Sequence, residues 1–202
     1  MKKAFLDPKR PLATCTAGQC DSCAVRGAIT CHFGAKELGR FLAAAFPAMI
    51  AGGIGIALLN PWLLAPWIAF LIAYFGFAEI WALCSHCPHY AETGTKMLRC
   101  WANYGSPKFW KYRPGPMTGG DRAIFFSGAI GTVLYPAVLM VIGSNWILLG
   151  IFSALVILVG TVMKKTMCAS CINLACPLNR VDGKMGERFI ALNPRSGFEA
   201  RK

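Results

Sequence analysis

Four long stretches without any lysine or arginine constrain the fold of this chain more than any other feature. They lie at 41–59, 63–83, 123–143 and 146–163, and their only acidic residue is Glu79. A helix needs about 20 apolar residues to cross the hydrocarbon core of a membrane. The sequence therefore predicts an all-α integral membrane protein with four transmembrane helices.

The connections within each pair of stretches are short, at 60–62 and 144–145. Short connections of this kind join neighbouring antiparallel helices. We therefore expect two transmembrane hairpins, 41–83 and 123–163. They alternate with three more polar segments: an N-terminal segment 1–40, a middle loop 84–122 that is rich in cysteine and aromatic residues, and a tail 164–202.

All 21 lysines and arginines lie in the three polar segments, with seven in the first, six in the middle loop and eight in the tail. By the positive-inside rule, both termini and the middle loop are expected in the cytoplasm, with the chain a multi-pass protein of the inner, cytoplasmic membrane. The formal net charge of +12 then reflects topology and contact with anionic lipid. It does not indicate nucleic-acid binding.

The ten cysteines all lie in these same three segments and thus on the predicted cytoplasmic side. Structural disulfides are rare in a reducing cytoplasm, where clustered cysteines more often bind metal or take part in redox chemistry. The candidate ligands are Cys15, Cys20, Cys23, Cys31, Cys84, Cys87, Cys100, Cys168, Cys171 and Cys176.

The first four cysteines have the spacing C-x4-C-x2-C-x7-C, and four thiolates suffice to hold one zinc ion or one iron–sulphur cluster. The stretch from Cys15 to Cys23 resembles the ligand loop of plant-type two-iron ferredoxins in its C-x4-C-x2-C spacing and its small residues. This resemblance covers about ten residues and implies iron–sulphur ligation.

The other two groups resemble each other, because each predicted hairpin is followed by a C-x2-C pair and one further cysteine. The pattern indicates a degenerate internal repeat, and membrane proteins built from repeats often carry their site where the repeats meet. One partition places a shared centre on Cys84, Cys87, Cys168 and Cys171, which leaves Cys100 and Cys176 over. The other gives each repeat its own centre, with His86 or His89 as an additional ligand.

Glu79 has two interpretations. A carboxyl group inside a membrane often marks an ion or proton path, so Glu79 is a candidate for handling the proton that accompanies electron transfer to a quinone. Alternatively, its position near the end of the second stretch lets it reach the interface or bond a neighbouring helix.

The sequence shows no phosphate-binding loop, zinc-protease motif or Ser/His/Asp pattern. We therefore predict an electron-transfer protein or subunit rather than a stand-alone enzyme. One or two iron–sulphur clusters would pass electrons between a cytoplasmic donor and a quinone or membrane partner, within a complex or with a protein redox partner. The alternatives are a zinc-stabilised membrane scaffold and a soft-metal transporter, for which Met49 and Met140 offer thioethers.

Overall fold

A computed structural model describes residues 23–31, 33–92 and 95–192, and this part of the chain is helical, without named strands. The α-helices are α1 Ala35–Leu59, α2 Leu64–Ala73, α3 Glu79–Ala82, α4 Pro88–Ala91, α5 Gly119–Ile142, α6 Trp146–Val162 and α7 Gly183–Leu192. Two 3-10 turns, Pro61–Leu63 and Cys84–His86, and two π-helical turns, Tyr74–Ala78 and Met163–Met167, connect or extend them.

Four continuous helical stretches are long and apolar enough to cross a membrane. We number them span 1 to span 4, and they run Ala35–Leu59, Pro61–His86, Gly119–Ile142 and Trp146–Met167. Large apolar side chains on their outer faces are exposed, as Ile147 and Ile157 show, which is the surface that lipid would cover. The prediction of an all-α protein with four apolar spans is thus confirmed.

Spans 1 and 3 begin earlier than the apolar stretches suggested. Span 1 starts at Ala35 rather than at 41, and the Glu37 carboxylate accepts a hydrogen bond of 2.8 Å from the Gly34 N–H. Span 3 starts at Gly119 because Thr118 and Asp121 cap it reciprocally. Both first turns carry charged residues, so hydropathy alone stops short of the true helix ends.

Spans 2 and 4 each contain a π-helical turn shortly before a C-x2-C pair. Tyr74–Ala78 precedes Cys84 by six residues, and Met163–Met167 is followed directly by Cys168. A π-helical turn changes the face that the next residues present, and such turns are frequent at functional sites. No pattern in the sequence indicates either turn.

Three hydrogen bonds from side chains to backbone carbonyls fix span 2 against span 3. The Tyr135 hydroxyl donates to Leu63 O at 3.0 Å and the Trp67 indole N–H donates to Thr132 O at 3.3 Å. The Tyr74 hydroxyl donates to Phe125 O at 2.7 Å. The residue numbers rise in span 2 as they fall in span 3, so the two spans are antiparallel. The C-terminal end of span 2 therefore lies beside the N-terminal end of span 3.

Span 1 packs against both span 3 and span 4. At Gly52, an added Cβ would lie 3.2 Å from the Phe152 ring, 3.4 Å from Trp67 and 3.5 Å from Pro136. These neighbours belong to spans 4, 2 and 3. All four spans therefore meet around Gly52, where the lack of a side chain allows close approach.

Gly128 provides a test of this packing, because a Cβ there would lie 1.9 Å from Tyr74 Cε2. The hydrogen bond to Phe125 O holds the tyrosine ring in place. We expect Gly128→Ala to lower the free energy of unfolding by about 1–3 kcal/mol, as overpacked cores do, in a denaturation titration in detergent. The control is Gly150→Ala, where no atom lies within 4 Å. An equal loss in both variants would contradict the described contact.

Candidate functional site

A cavity of about 310 Å³ lies at the end of the bundle where spans 2 and 4 finish. We name this the cysteine end, because six cysteines line the cavity. Three come from the end of span 2 and the middle loop, and three come from the tail. They are Cys84, Cys87, Cys100, Cys168, Cys171 and Cys176.

Short turns place the two C-x2-C pairs at this cavity. The Cys87 N–H donates to Cys84 O at 2.9 Å and closes the 3-10 turn that ends span 2, and Pro88 then begins α4. The Cys168 N–H donates to Met163 O at 2.8 Å across the π-helical turn of span 4. Both pairs thus start at a hydrogen-bonded helix end.

The tail folds back over the cavity and contacts the end of span 2. The Asn179 side chain donates to Cys171 O at 2.6 Å, and the Asn173 side chain donates to Leu83 O at 3.3 Å. Ile172 and Phe189 are fully buried in one apolar cluster that also contains Cys87. The two cysteine groups are therefore held in one folded unit.

The described part of the N-terminal segment joins the same unit. The Thr30 N–H donates to Ser170 O at 2.8 Å, and the Thr30 hydroxyl lies 3.2 Å from the Ser170 hydroxyl. Cys23 and Cys31 pack against the apolar cluster that holds Cys171. Cys15 and Cys20 lie outside the described residues. Of the predicted N-terminal set of four cysteines, the structure therefore describes only Cys23 and Cys31.

Burial controls the acidity of the thiols that lie outside the spans. Burial raises the pKa of Cys87 well above its usual range, with the nearby Cys100 and Cys171 adding to the effect. Burial also raises the pKa of Cys100 to about 12 and that of Cys168 to about 11. At neutral pH these groups are therefore protonated, and a bound metal would have to displace their protons.

The thiols line one end of the cavity, and they do not converge on one point there. Within residues 23–31, 33–92 and 95–192, no three or more His, Cys, Asp or Glu side chains are arranged to hold a single metal ion. A tetrahedral zinc site with Zn–S bonds of about 2.3 Å requires sulphur atoms about 3.8 Å apart. What the structure shows is a thiol-lined space rather than a closed mononuclear site.

Glu79 also lines the cavity and is only 6% exposed. Its carboxylate accepts a hydrogen bond of 2.8 Å from the Asn103 side chain, which lies 3.2 Å from Cys84 Sγ. The other Glu79 oxygen is 4.0 Å from the same sulphur. Glu79 therefore joins the middle loop to span 2 beside a candidate ligand, and its proton-handling role stays a prediction.

The two candidate histidine ligands have different surroundings. His89 lines the cavity, and its ring centroid lies 5.8 Å from that of Phe33. His86 instead faces Asp121, with Nε2 3.3 Å from a carboxylate oxygen. The structure thus brings His89, but not His86, to the thiol-lined cavity.

Asp121 is at the centre of a polar network that the sequence analysis did not single out. It is 1% exposed and makes two bonds to the Arg113 guanidinium, at 2.9 and 3.0 Å. The Arg113 N–H donates to Ser85 O at 2.8 Å, and the guanidinium lies 4.6 Å from the Trp81 ring centroid. This network fastens the middle loop to spans 2 and 3.

The site therefore comprises six predicted cysteines, Glu79 and His89 around one cavity, with Asn103 as an unpredicted neighbour. No pattern in the sequence signals Asn103, which is 24 residues from Glu79. The Asp121 network did leave a signal, since T-x-x-D is a capping-box pattern. Comparison of the chain with protein-family models, curated proteins and solved structures finds no match.

Proposed function

We propose that this protein is a membrane-bound iron–sulphur electron-transfer protein or subunit. It would pass electrons between a cytoplasmic donor and a quinone or membrane partner. One observation carries the proposal: six cysteines from two separate segments line a single cavity that continues between the spans. A bound cluster would supply one-electron chemistry there, and the cysteines would supply its ligands.

The proposed location is the inner membrane, with the cysteine end facing the cytoplasm. The charges support this orientation, because Lys36, Lys164 and Arg122 lie at the cysteine ends of their spans, whereas the two short connections at the other end carry no charge. Trp62 and Trp146 lie at that uncharged end and are exposed, as expected for aromatic anchors at a membrane interface.

The proposed arrangement is two hairpins that arose from one repeated unit. The two π-helical turns support this interpretation, since each occurs in the second span of a proposed hairpin, before a C-x2-C pair. If the repeats meet at the shared cavity, a centre held jointly by both C-x2-C pairs is favoured over two separate centres.

The arrangement of the thiols supports a cluster over a single zinc ion. Thiols around one zinc ion would be drawn to within about 4 Å of each other, and among the described residues no three or more possible ligands are arranged in this way. A cluster of several iron and sulphide ions needs a wider cage of cysteines. The zinc-stabilised scaffold is therefore the less favoured alternative.

A second candidate function, the transport of a soft metal such as Cu(I), is favoured by one specific observation. Met49 of span 1 and Met163 of span 4 line the same cavity as the cysteines, and thioether and thiolate sulphur are the preferred ligands of Cu(I). Met140 does not contribute to this lining, since it packs against Gly55 in a separate apolar cluster.

Metal analysis of anaerobically purified protein tests these proposals. We expect a brown preparation that contains iron and acid-labile sulphide and whose visible absorption is bleached by dithionite. A colourless preparation with stoichiometric zinc would contradict electron transfer and favour the scaffold. Stoichiometric copper without sulphide would contradict electron transfer and favour metal transport.

A further inference from the structure

The cavity extends beyond the cysteines into the apolar interior of the bundle. All four spans line this deeper part with alkyl and aromatic side chains, among them Ala48, Phe75, Ala129, Phe152 and Val156. The cysteines are confined to one end. The space is thus mainly apolar between the spans, where the Tyr74 and Thr132 hydroxyls already donate to the carbonyls of Phe125 and Gly128, and its other polar groups lie at the cysteine end.

The lining residues select the chemistry of an occupant. Among the described residues that line the cavity there is no lysine or arginine, and Glu79 is the only acid, so a phosphate or carboxylate ligand would meet no permanent positive charge here. Phe41, Tyr74 and Phe125 offer aromatic faces to a planar ring. Asn103 and Glu79 offer hydrogen bonds at one end of such a ring.

An apolar pocket of at least about 300 Å³ with a few convergent polar groups is the usual form of a small-molecule site. A lipid acyl chain would fill the apolar part but would leave the polar end without a hydrogen-bonding partner. A planar ring with carbonyl oxygens and an apolar tail matches both parts.

We infer that this cavity binds a lipid-soluble quinone, with its ring towards Asn103 and the cysteines and its tail between the spans. The inference rests on the electron-transfer function proposed above and names its acceptor. The reaction would balance if the proposed cluster, reduced by its cytoplasmic donor, gave two electrons one at a time to the quinone, which with two protons from water would become the quinol. The aromatic side chains and the thiols line the same space, so no helix would separate a cluster held by the thiols from the quinone ring.

Filling the cavity tests the inference. Ala129 lines the cavity on span 3, whereas Ala123 of the same span is exposed. Ala48 and Ala43 form a second pair on span 1, with Ala48 buried in the lining and Ala43 exposed. The variants are Ala129→Phe and Ala48→Phe, and the matched controls are Ala123→Phe and Ala43→Phe.

The probe is a photoreactive azido-benzoquinone with a decyl tail, applied to the full chain in detergent, with adducts mapped by mass spectrometry. We expect saturable labelling of residues that line the cavity. The non-reactive decyl benzoquinone should displace the probe, and decanol should not. Each cavity-filling variant should weaken binding by about tenfold relative to its control. The wild-type labelling map does not depend on how well either variant folds.

Labelling without saturation, displacement by decanol, or equal labelling of each variant and its control would overturn the inference. Iron and sulphide measured on the same preparations separate this failure from failure of the proposed function. Iron and sulphide without quinone binding would leave electron transfer intact and direct it to a protein acceptor. Saturable quinone binding to a zinc-containing, iron-free protein would overturn the electron-transfer function and, with it, the assigned reaction.

Discussion

Serine in place of Cys84 is expected to abolish the same visible absorption as serine in place of Cys171. The two cysteines are 87 positions apart in the sequence, yet both line one cavity. If they ligate one shared cluster, loss of either thiolate leaves that cluster incomplete, and iron and sulphide should fall together. The measurements are the anaerobic visible spectrum and the iron content per chain of each purified variant.

Ser170→Ala is the control, because Ser170 is next to Cys171 and contacts Thr30 without being a candidate ligand. It should retain the spectrum and the iron. If each cysteine variant lost only its own part of the iron, and the double variant lost the sum, each repeat would hold a separate centre. That result would contradict the shared site.

Asp121→Ala should cause the largest loss of stability of any single change in the polar network. Asp121 is buried and holds both Arg113 and the cap of span 3. Its removal leaves the partly buried Arg113 guanidinium without its partner. It also leaves a space beside His86 where the carboxylate was. Breaking a buried ion pair by removing one partner costs about 3–5 kcal/mol. A denaturation titration in detergent would measure this loss.

Asp182→Ala provides a matched control. Asp182 also accepts a backbone hydrogen bond at a helix start, from the Lys184 N–H at 3.0 Å, but it is exposed. Its loss should cost about 1 kcal/mol, as for an ordinary N-cap residue. If Asp121→Ala cost no more than this control, the network would have no special part in holding the middle loop. In that case the Arg113→Ala change should also be mild.

The number and rough position of the spans followed from hydropathy, because crossing a membrane demands about 20 apolar residues and this chain has four such runs. The helix ends did not follow. Ala35 to Arg40 form a charged start of the helix outside the apolar run, and hydropathy scores such charged residues as polar and so excludes them from a span. The π-helical turns were also beyond reach, because they depend on packing of the finished bundle rather than on local sequence.

The cysteine spacings indicate which residues are candidate ligands, and the structure adds where these residues lie. The cavity arises from contacts between distant segments, such as Asn173 with Leu83, 90 residues apart. No periodic pattern encodes such a contact. The same holds for Asn103 beside Glu79. Metal ligation and the assignment of the ten cysteines to centres stay predictions until the experiments above are done.

The pairing of Thr30 with Ser170 also bears on the order of events during biosynthesis. The two residues are separated by 140 positions, which a ribosome takes about 7 to 28 s to translate at 5–20 residues per second. Spans 1 and 2 are synthesised in the first part of that interval, before Cys171 and Cys176 exist. The N-terminal segment therefore remains without its docking partner until span 4 has been made, and a centre shared between the two C-x2-C pairs, as proposed, would be loaded only after that point.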